Sequence, residues 1–136
     1  MNNNYYIGVG RRKEATARVY LKEGKGEAQV RTKQGKEKKL EEYFYMEPSL
    51  VKDIFMPLKL FNKEKDFDLI IRVRGSGFHS QAEAIRLGVV RALLEISQEF
   101  KPTLKSFSLL KTDPRKKERE HIGFKTSRRP TQFSKR

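Results

Sequence analysis

The chain has 136 residues, no cysteine and a formal net charge of +14, with 31 Lys and Arg against 17 Asp and Glu. That length suits one domain with an appendage; disulfide frameworks and thiolate metal sites are excluded; and no apolar run approaches the ~20 residues of a membrane span. Residues 1–5 carry no basic flank, apolar stretch or Arg/Ser-rich presequence, so a soluble protein made where it works is expected.

Residues 5–9 are short and β-prone. Residues 15–21 alternate, with Ala15, Ala17, Val19 and Leu21 on one side and Thr16, Arg18 and Tyr20 on the other, the period of a half-buried strand. Gly24 and Gly26 supply a turn, and residues 27–31 are expected to return as that strand's hairpin partner. Residues 33–39 read as a polar loop and residues 40–46 as a helical turn. Ser49 is placed to cap a short helix running to Phe55 and ended by Pro57. Residues 67–74 form the clearest strand, with Phe67, Leu69, Ile71 and Val73 on one face and Asp68, Arg72 and Arg74 on the other. After Gly75-Ser76-Gly77 the period becomes helical: Ala82, Ile85, Val89, Ala92, Leu93 and Ile96 fall within about 100° on a helical wheel. Leu87, Val90 and Leu94 widen that face, and Arg91 and Glu95 mark the exposed side. Residues 100–110 are expected to pack as a short helix.

Residues 1–110 therefore form a globular α+β body, able to bury ~60–70% of its unfolded surface. Its strands over one long helix suggest a two-layer sandwich. Residues 111–136 form a basic tail carrying seven of the fourteen net positive charges. Asp113 and Pro114 resemble a helix cap and a first-turn proline, and Gly123 a terminator, so the tail is expected to be partly helical near 114–122 and otherwise extended. Arg115, Lys116 and Lys117 would then sit at the positive end of the helix dipole, an arrangement that becomes favourable when a phosphate binds there. The last twelve residues hold five cations and no acid. Such a segment buries too little apolar surface to offset its ordering entropy and awaits a polyanion.

Gly10-Arg11-Arg12-Lys13 brings three cations to a strand end, where guanidinium forks would converge on phosphates; a solvated turn is the plainer alternative, and Arg18 on the polar strand face favours RNA. Arg74-Gly75-Ser76-Gly77-Phe78-His79-Ser80, between strand and helix, invites comparison with a dinucleotide fingerprint. Ser80 stands where the third glycine is needed, Glu95 lies inside the helix, and a second βαβ half is missing, so no cofactor is expected. His79 and His121 lack metal-ligand spacing. Ser76, His79 and Ser80 do not amount to a catalytic constellation, which leaves His79 as a cap-region donor or an RNA contact. Phe133 has no apolar neighbours and is suited to stack on a nucleotide or enter a partner's pocket.

Gly8-Val9-Gly10-Arg11-Arg12-Lys13 with Ala17-Arg18-Val19 resembles the opening of the ribosomal small-subunit protein nine family. Gly75-Ser76-Gly77 followed by residues 81–93 is similar to its central motif. Asp113, Arg115, Glu118-Arg119, Gly123, Lys125, Arg128-Arg129 and the final Gln132-Phe133-Ser134-Lys135-Arg136 are close to its terminus. Ser76, Ser80, Leu87, Glu120-His121 and Thr126 depart from the usual pattern.

The resemblance implies a body like the second domain of ribosomal protein five. It implies a place in the small-subunit head, with rRNA and neighbouring ribosomal proteins as partners, and no membrane or cofactor. It also implies a tail threading rRNA toward the peptidyl-site tRNA; fully extended, residues 111–136 reach roughly 85 Å. Arg11, Arg12, Lys13, Arg18, Arg74 and His79 are then expected to hold the body on rRNA. Lys111, Arg115, Lys116, Lys117, Arg119, Lys125, Arg128 and Arg129 would neutralise phosphates along the tail, and Lys135 and Arg136 would reach tRNA. The ribosome concerned would lie in bacterial cytoplasm or in an organelle encoding its own ribosomal proteins. A nucleotide-using enzyme with Gly75-Ser76-Gly77 as phosphate loop, or a nucleic-acid-binding protein outside the ribosome, are the rival readings.

Overall fold

A computed structural model describes residues 4–135. Five strands, β1 (Tyr6–Arg12), β2 (Ala15–Glu23), β3 (Ala28–Arg31), β4 (Glu37–Lys39) and β5 (Phe67–Arg74), form one sheet in the order β1-β2-β5-β3-β4. Helices α1 (Leu40–Tyr43), α2 (Pro48–Leu60) and α3 (Phe78–Ile96) are followed by a 3₁₀ turn and α4 (Lys101–Ser106). The helices cover one face of the sheet. Alternation decides which one: Ala15, Ala17, Val19, Leu21, Leu69 and Ile71 are buried beneath them, whereas Thr16, Arg18 and Arg72 are exposed. Val90 on the far side of α3 packs with Leu104 of α4 and Leu109, which closes the core behind the helix.

The expected partner of β2 is corrected. Residues 28–31 do not return alongside β2; they pair in parallel with β5, which inserts between the two and runs antiparallel to β2. The most apolar strand thus occupies the centre, where both edges are bonded and its inward face is sealed. The loop before β3 rounds the end of β5 because Asp68 holds it. Its Oδ1 accepts the backbone N–H groups of Lys25, Gly26 and Glu27 at 2.9, 2.9 and 2.8 Å. Burial pushes this carboxyl up, but the three N–H bonds outweigh it and its pKa lies below the ordinary value.

Two helix expectations also change. Pro57 does not end α2, and Ser49 does not cap it: Pro48 occupies the first turn behind Glu47, and the helix continues three residues past Pro57. An interior proline forfeits a backbone bond at a cost of about 3 kcal/mol, offset here because Leu50, Ile54, Pro57 and Leu58 are all buried. Asn62, in the left-handed region at φ 54, performs the termination. The N–H groups of Asn62 and Lys63 turn back to the carbonyls of Lys59 and Leu58, a Schellman closure. Residues 37–39, expected as loop, form the edge strand β4.

β1 lies against α3 backbone to backbone. A Cβ on Gly8 would enter the carbonyl of Gly88, one on Gly10 the carbonyl of Ala84, and one on Gly88 the side chain of Val19. β1 is also an edge strand, and α3 covers its outer rim. Glu95 accepts the Ile7 N–H at 2.6 Å, and Arg91 donates to the Val9 carbonyl at 2.7 Å.

Gly10→Ala should destabilise the chain by more than about 2 kcal/mol, since overpacking here meets backbone and not a movable side chain. Gly77→Ala, whose Cβ meets nothing within 4 Å, should stay within about 1 kcal/mol. Denaturant midpoints of both variants check the contrast. Asp68→Ala should cost about 1–2 kcal/mol at neutral pH. Because the folded pKa of Asp68 is depressed, its contribution is complete above the ordinary carboxylate range and fades as pH falls through the folded value. The stability gap between wild type and Asp68→Ala should therefore close in acid, as pH-dependent melting would show.

Candidate nucleic-acid interface

The sheet's helix-free face carries an ordered set of cations. On β2, β5 and β3, alternation turns Arg18, Arg72 and Arg31 outward, and the register places Arg72 directly opposite both of the others. The adjoining row sets Arg11 opposite Thr16, and Thr16 opposite Arg74. Like charges facing one another across strands repel, and among the described residues Glu37 relieves only Arg31, at 2.9 Å. Between these rows lies an open concavity of about 560 Å³ lined by Glu14, Thr16, Arg18, Arg72, Val73, Arg74 and Gly75. Tyr20 sits in the next row, with the Arg72 guanidinium 5.6 Å from its ring centre. A face of exposed arginines around an open trough, with one ring beside it, is suited to a phosphate backbone.

The cluster Arg11-Arg12-Lys13 does not converge as expected. Being consecutive on a strand, Arg11 and Arg12 point to opposite faces, and Lys13 lies in the tight turn at φ 52. Arg11 joins the open face. Arg12 turns toward α3, where its side chain is only 11% exposed. It pairs there with Glu83, donates to the carbonyl of Arg115 at 3.0 Å, and lies 3.2 Å from Asp113. Gly10 serves helix packing and leaves no cradle for a phosphate.

His79 is likewise placed elsewhere. Its Nε2 lies 2.9 Å from the Glu47 carboxylate, on the helical side and away from the arginine rows. The glycine turn before α3 is closed from within. Gly75 and Ser76 have positive φ values of 83 and 56, and the Gln81 amide donates to the Gly75 carbonyl at 3.0 Å. Gln81 is held by the Tyr43 hydroxyl at 2.8 Å. Burial raises the Tyr43 pKa above its ordinary value. A Cβ at Gly75 would strike the Glu14 carbonyl, so that glycine fits the β1–β2 turn against the sheet.

The helix expected near 114–122 is absent; residues 111–121 have no regular structure. An isolated nine-residue helix is marginal without packing, and Ile122, the apolar residue available, is almost fully exposed. Asp113 spends its carboxylate on Arg115, accepting its backbone N–H at 2.9 Å and its guanidinium at 2.7 Å. Those bonds, with Arg12 nearby, hold Asp113 far below the usual carboxylate range. Beyond Gly123 the tail doubles back. Phe124 bridges Pro130, and the Lys125 N–H reaches the Arg129 carbonyl at 2.8 Å.

Lys116 pairs with Glu14 and Arg128 with Glu118. Among the described residues, Lys111, Lys117, Arg119, Lys125, Arg129 and Lys135 are exposed and take part in no ion pair, and Phe133 is fully exposed. Arg136 lies outside the described residues.

Arg72 and Arg31 are candidate residues of this face that sequence reasoning missed. Alternation already turned Arg72 to the polar side, but the pairing of β3 with β5 was needed to set Arg31 beside it. No described helix is long and apolar enough to cross a membrane.

Fold and site together define a polycationic α+β module with an open charged sheet and a basic extension. Residues 10–136 match the family described as ribosomal protein S9/S16. Similar proteins include the small ribosomal subunit protein uS9 of Thermotoga petrophila and of Thermotoga maritima, each 45% identical over 96% of both chains. That of Mycoplasma mobile is 42% identical over the whole of both. The chain belongs to the ribosomal protein S9/S16 family, and its role is structural and not enzymatic.

Gln81→Leu should leave the Gly75 carbonyl and the Tyr43 hydroxyl without their partner, at a cost of about 1–3 kcal/mol. Thermal melts measure that cost.

Proposed function

We propose that this protein is an rRNA-binding constituent of the small ribosomal subunit, seated in the subunit head beside other ribosomal proteins. Its C-terminal tail reaches the peptidyl-site tRNA during translation. The observation that carries this reading is the uncompensated Arg18–Arg72–Arg74 face together with the exposed tail cations. A phosphate backbone supplies the anions that this arrangement lacks.

Arg11, Lys13, Arg18, Arg31, Arg72 and Arg74 hold the body. Lys111, Arg115, Lys116, Lys117, Arg119, Lys125, Arg128 and Arg129 line the threaded tail, and Lys135 and Arg136 form its tip. Arg115, Lys116 and Arg128 exchange their intrachain carboxylates for phosphates on binding, which exposed pairs allow at little cost. These contacts position the protein and carry little sequence information, so recognition follows RNA shape. One-sided helical cover over a central antiparallel pair supports the likeness to the second domain of ribosomal protein five. The bacterial relatives support a ribosomal location, and the ribosome concerned is read as one of bacterial cytoplasm or of an organelle encoding its own ribosomal proteins.

Sedimentation of a high-salt lysate tests the assignment: the protein should co-migrate quantitatively with small subunits, and recovery at the top of the gradient would overturn it. Deleting residues 111–136 should leave the body folded and flatten the salt dependence of rRNA binding, by about 0.7–0.9 in slope for each phosphate no longer neutralised. Arg18→Ala with Arg72→Ala should lower that slope by roughly 1.5; an unchanged slope removes the sheet from the interface. Removing Lys135 and Arg136 alone should spare assembly and weaken tRNA retention, as filter binding to reconstituted subunits would report.

A further inference from the structure

We propose that Arg12 is a positioning residue: it pins the root of the tail, residues 112–116, to the body and so sets the direction in which the cations beyond it depart. The significance of that direction rests on the tail's proposed role in RNA binding; the pinning itself is a property of the free chain.

Contacts from three elements converge on this root. From β1, Arg12 gives one nitrogen to Glu83 of α3, a second to the Arg115 carbonyl at 3.0 Å, and a third to Asp113 at 3.2 Å. From α3, Arg91 holds the Val9 carbonyl with one nitrogen and the Thr112 hydroxyl, at 3.1 Å, with the other. From the β1–β2 turn, Glu14 meets Lys116 at 2.9 Å. Within the root, Asp113 bonds both the backbone and the side chain of Arg115, and Pro114 restricts the backbone between them.

An exposed ion pair of two long side chains orders little, and the Lys116–Glu14 contact alone would not fix the tail. Arg12 differs because its side chain is 11% exposed and packed against α3. Its planar fork spans an acid of the body and two groups of the tail at once, which a flexible ammonium does not reproduce. The peptide carbonyl of Arg115 is an anchor that no surface charge could replace. Since the strand alternation that sends Arg11 to the open face sends Arg12 to the helices, one pair of adjacent arginines serves two purposes. The tail therefore leaves the body at a fixed point beside the β1–β2 turn, on the rim of the trough that Glu14 helps to line. A segment already held there meets RNA on the sheet at a higher effective concentration than a coil free from residue 111.

The chain has no cysteine, so Glu23→Cys and Lys117→Cys place two spin labels on the full-length protein without background. Double electron–electron resonance should give one narrow distance peak in this parent. Arg12→Ala should broaden it to a coil-like distribution, and Arg12→Lys should fail to restore it. Asp113→Asn, which leaves the body untouched, should broaden it in the same direction, and Lys33→Ala should leave it narrow. Melting by circular dichroism shows whether the body stays folded in each variant, and Asp113→Asn keeps the test open if Arg12→Ala does not. A broad peak in the parent, or a peak left narrow by both Arg12→Ala and Asp113→Asn, overturns the proposal. If Arg12→Ala broadens the peak while tail deletion leaves the rRNA salt slope unchanged, positioning stands and the tail's RNA role fails. The converse result overturns positioning alone.

Discussion

The approach of β1 to α3 is the contact on which the rest of this molecule depends. With hydrogen in place of side chains at Gly8, Gly10 and Gly88, a strand backbone and a helix backbone lie in direct contact. That seam sets α3 along the sheet's edge, and several arrangements follow from it. Glu95 and Arg91 reach the unpaired backbone groups of an edge strand that would otherwise invite pairing with another chain. Glu83 comes within reach of Arg12. The opposite face of the sheet receives none of the described helices and stays open.

The two faces of the sheet then carry different arrangements of charge. On the helical side, Arg12 has Glu83 and Asp113 and Lys59 has Glu64 as intrachain carboxylates, while Lys52, Arg86, Lys101 and Lys105 pair with none among the described residues. On the open side, Arg18, Arg72 and Arg74 have no carboxylate partner among the described residues, while Arg31 shares one with Glu37. A folded body tolerates such repulsion because exposed charges are screened by water and salt. The repulsion becomes attraction when a polyanion supplies the missing counter-charge. Membership in a ribosomal protein family gives that electrostatic asymmetry its setting.

The tail illustrates how composition and conformation separate. Its cation content was evident from residue types alone. Yet its root is held by bonds to backbone and carboxylate groups far away in sequence: Arg12 and Arg115 are joined although 103 positions apart. Local propensity also misjudged Pro57 and the 114–122 segment, in opposite senses. At Pro57 a buried face outweighed a helix-breaking residue; after Pro114 a favourable start had nothing to pack against.

Much of the body was legible in the order of residues alone. Period-two alternation located β2 and β5 and named their buried faces, and period 3.6 located α3, because side-chain direction along an element is a local property of the backbone. The family motifs were legible for the same reason: they are contiguous strings. Strand order was not. That β5 would insert between β2 and β3, turning Arg31, Arg72 and Arg18 into a row, depended on which edges were left to pair. That Gly10 would serve a helix and Arg12 a tail depended on what approached each from elsewhere in the chain. The sequence by itself determined the elements, their apolar faces and the amount and location of charge. Only tertiary structure decided which charges face one another, since that depends on contacts between residues far apart in the chain.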